Sequence, residues 1–167
     1  MGTPKGLLPW RGRPLLAHHV IALGARASRV VVVLGARAAE HRAALGPEVD
    51  VVINAAWEHT HPVDSLALAV RELYLAGPAW VTPVDVLPTA PETLDALLLA
   101  GAPAVPVDPA GRDGHPVLVD AATLRGALAS PPGGLQTLLR TACRVPVVDP
   151  HCAADFDTPA AWRHLQP

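Results

Sequence analysis

The chain has no run of five or more charges of one sign, and its 13 basic and 15 acidic residues leave a net charge of -2. That balance gives no electrostatic footprint for a polyanion, so nucleic acid is not expected as a partner. No apolar stretch approaches the roughly 20 residues needed to span a bilayer. Val30 to Leu34, at five residues, is as long as any, and Leu97 to Ala100 is another such stretch. Pro9 and Pro14 interrupt the apolar residues near the N-terminus, so the continuous core of a signal peptide is missing. A cytoplasmic protein with no membrane partner is the expectation. The two cysteines, Cys143 and Cys152, make no Cys-x-x-Cys pair and no disulfide framework, and read as free thiols. A Gly-x-Gly-x-x-Gly at a strand-helix junction is also lacking, which argues against a nicotinamide-dependent Rossmann oxidoreductase.

What is present is apolar and periodic. With 167 residues at 50% hydrophobic content, the sequence suits one domain with one core, spanning 1–167. Val30 to Leu34 and Val49 to Ile53 are short β-branched runs, as in strands buried on both faces, and Arg37 to Leu45 between them is helical in period. Pro14 at N1 predicts a helix to about Ala25, with Leu15, Leu16, His19, Val20 and Leu23 on its core face; His18 and His19 read as packing residues. Further helices are predicted over 63–76, 91–100, 120–129 and 134–142 and from Pro159; strands over 80–83, 104–107, 117–119 and 145–148. The turn-rich Asp108 to Gly114 joins two of these strands as a hairpin. Strands alternating with helices of this length predict an α/β sandwich, Rossmann-like, with a mostly parallel sheet.

Several motifs carry chemistry. The chain opens Gly2-Thr3-Pro4-Lys5, then Leu7-Leu8-Pro9-Trp10 and Pro14-Leu15-Leu16. Later come Asn54-Ala55-Ala56-Trp57, Pro83-Val84-Asp85 with Pro91-Glu92-Thr93-Leu94, Gly114-His115-Pro116-Val117-Leu118, and Asp155-Phe156-Asp157-Thr158-Pro159. In this order they resemble the nucleotidyltransferases similar to molybdenum-cofactor guanylyl- and cytidylyltransferases, along the entire chain. The resemblance implies a first strand and glycine-rich loop before Met1, with that strand lying between the strands at 30–34 and 80–83. Met1 then reads as an internal methionine of a longer protein. The alternative is a non-catalytic remnant of the fold acting as a binding or interaction module.

Such an enzyme moves a nucleoside monophosphate from a triphosphate, CTP or GTP, to a phosphorylated small molecule, molybdopterin-like or a sugar phosphate, and releases pyrophosphate. The acceptor oxygen is already anionic, so positioning and charge neutralisation dominate. Mg²⁺ is the implied cofactor, for which one or two carboxylates plus the triphosphate suffice. The resemblance assigns Asp85 and Asp157 to the metal, with Asp155 in reserve, and Lys5 and Asp85 to catalysis. Gly2, Pro4, Lys5 and Ser65 would hold the nucleotide and His115 the acceptor. Taken by position alone, Asp85 could be a turn residue and Asp157 a helix N-cap. His59 and His61 lack a third donor and are not read as a metal pair. Trp57 could cover the core or stack a base.

Overall fold

Residues 2–72, 76–129 and 138–166 are described by the structure, a computed structural model. The chain starts on a 3-10 turn at Lys5–Leu7 and a tight hairpin of β1 (Pro9–Trp10) and β2 (Arg13–Pro14). Two successive residues with positive φ, Arg11 at 45° and Gly12 at 81°, close it, as a type I′ hairpin turn requires. The helix α1 follows over Leu15–Gly24. Pro14 precedes it as N-cap instead of standing at N1, because its backbone stays extended to pair with Pro9.

A parallel pair comes next, β3 (Val31–Leu34) and β4 (Asp50–Ile53), joined by α2 (Ala38–Ala43). The helix α3 (Pro62–Glu72) leads towards a four-stranded sheet of β5 (Pro78–Val81), β6 (Ala104–Val107), β7 (Val117–Asp120) and β8 (Cys143–Pro146), in the order β5-β7-β6-β8. The strand β7 is antiparallel to both of its neighbours and β8 is parallel to β6, so β7 alone is reversed. Among the described residues no ladder joins the β3–β4 pair to this sheet. The helices α4 (Pro91–Ala100), α5 (Ala121–Ala129) and α6 (Pro159–Leu165) complete the fold.

Two strands are displaced from their expected positions. The ladder of β5 ends at Val81, opposite Val117, leaving Thr82 and Pro83 to lead into the loop that carries Asp85. The strand β8 starts two residues early because Cys143 pairs with Ala104, and Val148 is left almost wholly exposed. Of the helix expected over 134–142, residues 138–140 are helical; 134–137 lie outside the described residues, as do 73–75 of α3's expected end.

The alternation of side chains along β7 builds the sandwich. Val117 and Val119 face Val70 of α3 and Leu124 of α5, whereas Leu118 faces Leu97 of α4. Helices therefore cover both sides of the sheet. Each such fully buried aliphatic side chain contributes about 1.5–3 kcal/mol against exposure. The chain adopts a Rossmann-like α/β fold.

Candidate active site

A third hydrophobic cluster lies apart from the sheet and forms the floor of the site. It joins Trp10 of β1, Leu15 of α1, Leu87, Phe156 and Trp162 of α6. The Phe156 and Trp162 rings are 4.6 Å apart between centroids and the Trp10 and Trp162 rings 5.7 Å. Above this floor the segments around 85 and 156 run antiparallel through a bridge between Val86 and Asp155, and the Phe156 amide donates to the Asp85 carbonyl at 3.0 Å.

Helix α1 ties down strand β1 and the loop after Asp85. The Nε2–H of His18 donates to the Trp10 carbonyl at 2.6 Å, and that of His19 to the Val86 carbonyl at 2.9 Å. Burial pushes the His19 pKa down to about 4, outweighing the opposing pull of the Val86 carbonyl. The ring is therefore neutral. It fixes the backbone one residue from Asp85, a tethering role that its position on the apolar face did not disclose.

On this floor Lys5 Nζ donates to Asp85 Oδ2 at 3.0 Å and to Asp157 Oδ1 at 2.6 Å. The Phe156 ring centroid is 5.8 Å from the same nitrogen. Burial opposes the charge on Lys5, but the hydrogen bonds and attraction of the two carboxylates outweigh it and hold its pKa above the ordinary value. Asp157 is not the helix cap that its sequence allowed. The cap of α6 is Thr158, whose Oγ1 accepts from the Ala161 amide at 3.1 Å, and Asp157 is left to face the site.

A cavity of about 340 Å³ opens beside the carboxylates, lined among others by Asp85, Arg112, His115, Asp155 and Asp157. Burial lowers the His115 pKa against the attraction of Asp85, the Val81 carbonyl and Asp155; its Nδ1 is buried without a hydrogen-bond partner. The His115 amide donates to the Cys152 carbonyl at 2.7 Å, and a Cβ on Gly114 would stand 2.5 Å from that oxygen. Only glycine permits so close an approach. Arg112 is engaged by the buried Asp108 at 2.7 Å.

The structure thus brings Lys5, Asp85 and Asp157 together, with His115 on the same cavity. Pro4 accepts the Leu7 amide in the turn that presents Lys5, and Gly2 is exposed. Ser65 is placed elsewhere: its Oγ accepts from Asn54 Nδ2 at 3.0 Å, beside Thr60 on the same amide at 2.9 Å, at the end of β4. Trp57 packs on Gly35, half-exposed. Sequence reasoning missed Phe156, which sat inside a quoted motif, and the paired histidines of α1. Among the described residues no group of three or more His, Cys, Asp or Glu side chains is poised for a metal, His59 and His61 included. The Asp85 and Asp157 pair supplies two hard oxygen donors, and a cationic nitrogen already lies between them. That donor set fits a Mg²⁺-class ion that takes its remaining ligands from water and a triphosphate.

With this geometry in view, the likenesses to known proteins are informative. A family model, the MobA-like NTP transferase domain, matches residues 1–147. The crystal structure of Rv0371c from Mycobacterium tuberculosis H37Rv superposes with a TM-score of 0.79 at 26% identity, covering 99% of this chain and 89% of that one. A manganese complex of Rv0371c has a TM-score of 0.79 at 25% identity, over 98% and 92% of the two chains. A nucleotidyl transferase from Methanothermobacter shares the fold at 24% identity, with a TM-score of 0.79 over 97% and 83%. No curated protein sequence matches significantly. No helix of the described residues is long and apolar enough to cross a membrane. The chain belongs to the MobA-like NTP transferase family.

Proposed function

We propose that this member of the MobA-like family transfers a nucleoside monophosphate from CTP or GTP to a phosphorylated small molecule, at a site built on Lys5, Asp85 and Asp157. The observation that carries this reading is the convergence of two carboxylates, from loops far apart in sequence, within 3.0 Å of one ammonium nitrogen. In the reaction an oxygen of the acceptor phosphate bonds to the α-phosphorus of the nucleotide. The bond from that phosphorus to the α–β bridging oxygen breaks, and pyrophosphate leaves with the electron pair.

No general base is needed, because the acceptor oxygen is already ionised; catalysis is positioning and charge neutralisation. Asp85 and Asp157 would hold a Mg²⁺ or Mn²⁺ ion, which when bound neutralises charge on the triphosphate and the departing pyrophosphate. Manganese is supported by the complex of Rv0371c. Lys5 contacts phosphate oxygens, and Gly2 and Pro4 frame its turn. His115, which lines the same cavity, orients the acceptor with an uncharged ring. Ser65, bonded to Asn54 at the end of β4, is a nucleotide contact on the sugar or base side. A molybdopterin-like acceptor or a sugar phosphate both suit this chemistry.

The test is calorimetric titration with CTP and GTP, with and without Mg²⁺ or Mn²⁺. Metal-dependent binding of one nucleotide is expected, weakened at least roughly tenfold by Asp85→Asn or Asp157→Asn through loss of a charged ligand. Binding indifferent to both metal and substitution would eliminate the site.

A further inference from the structure

Lys5 is the only lysine in this sequence; every other permanently cationic side chain is an arginine. Arginines here can pair as planar forks, as Arg26 does with Asp95 through Nε at 2.7 Å and a terminal nitrogen at 2.9 Å, and Arg37 with both oxygens of Glu40. A fork lies flat along one carboxylate, whereas an ammonium is a compact point charge on a flexible stem. At position 5 the point charge bridges carboxylates from two different loops, at 3.0 and 2.6 Å, as a small bound cation would.

We infer that Lys5 is the resident counter-ion of the Asp85–Asp157 pair and leaves it only when a nucleoside triphosphate arrives, so that divalent cation and nucleotide enter the site together. This rests on the function proposed above and adds an order of assembly to it. A divalent ion held by Asp85 and Asp157 would compete with Nζ for the same carboxylates, and two cations at contact distance repel. One of them must go. The ammonium has somewhere to go once triphosphate oxygens are present, and nowhere equally favourable before.

The surroundings permit that exchange. Asp157 is 79% exposed and Lys5 only 26%, so the pair opens to solvent on the aspartate side. The backbone at the base of the lysine is held by the Leu7 amide on the Pro4 carbonyl at 3.0 Å and the Leu8 amide on the Lys5 carbonyl at 3.1 Å, and the buried Gly6 packs closely against the His41 ring and Val84. Side-chain rotation is the motion left. Since the coupling is thermodynamic, nucleotide must raise metal affinity by the factor by which metal raises nucleotide affinity.

Mn²⁺ titration without nucleotide, read by the paramagnetic signal of free Mn²⁺, tests this on the wild type, Lys5→Met and Lys5→Gln. Removing two partly exposed ion pairs is expected to tighten Mn²⁺ binding roughly tenfold in both variants. CTP or GTP is expected to raise Mn²⁺ affinity strongly in the wild type and much less in the variants. Because the chain holds one lysine, ¹⁵N-lysine labelling gives a single ammonium signal. In the unmutated protein it should shift with Mg²⁺ plus nucleotide and stay in place with the same Mg²⁺ alone. Variants that bind Mn²⁺ no tighter than wild type, or a signal displaced by Mg²⁺ alone, would overturn the inference while leaving the transferase reading intact. A wild type that takes up no Mn²⁺ even with nucleotide would sink both.

Discussion

His19 is a buried residue whose protonation state bears directly on stability. Its folded pKa of about 4 lies below the ordinary 6.5 because burial excludes the charged ring. The unfolded chain therefore binds this proton first as pH falls. The stability tied to the neutral ring is complete above pH 6.5 and is lost progressively towards pH 4, with an upper bound of about 3 kcal/mol from the shift. Urea unfolding at pH 7.5 and 4.5 should show a smaller acid loss in His19→Gln than in the wild type, by roughly 2 kcal/mol, with His115 common to both proteins. Equal losses would mean that His19 is solvated enough to charge in place. At this scale the carboxylates and Lys5 were legible because each sits in a short local motif. The histidine tethers were not, because their carbonyl partners, Trp10 and Val86, are named by no pattern on α1.

Helix α4 illustrates what an element shows of itself and what it conceals. Pro91 and Gly101, the latter at φ 81°, mark its ends in the sequence, and the structure keeps both. Its N-cap, Ala90, has no side chain that can cap. The missing acceptor comes from Asp149, whose Oδ2 takes the Ala90 amide at 2.9 Å and the Thr93 hydroxyl at 3.1 Å. Its Oδ1 takes the His151 amide at 3.0 Å, so one buried carboxylate joins α4 to the segment before the Asp155 loop. Asp149→Ala should lower stability by about 2–3 kcal/mol, since it leaves a helix-start amide and a buried hydroxyl unpaired. Asp149→Asn, which keeps an acceptor, should cost clearly less; thermal melts of the two variants decide this. The same non-locality explains the displaced β8. Its composition permits a start at either 143 or 145, and only the partner Ala104 selects Cys143.

Taken as a whole, the molecule keeps its site apart from the core of its sheet. The order of motifs along the chain was enough to indicate the fold class, because strand and helix periods are local properties. The floor was hidden because its five members come from residues 10, 15, 87, 156 and 162. A consequence can be tested with two truncations. Trp162 packs on Phe156 with ring centroids 4.6 Å apart, and the Phe156 amide holds the Asp85 carbonyl at 3.0 Å. Trp162→Ala should cost about 3–5 kcal/mol, and Leu124→Ala, in the cluster under α5, about 2–5 kcal/mol. If the floor positions the carboxylates, only Trp162→Ala should also weaken Mn²⁺–nucleotide binding, several-fold, when both variants are titrated well below their melting temperatures. Leu124→Ala should bind as the wild type does, because its cavity opens between α5 and the sheet and leaves Phe156 seated. Two variants with equal affinities would show that the loops at 85 and 157 hold their geometry without the aromatic floor, and would shift the positioning role to the α1 histidines alone.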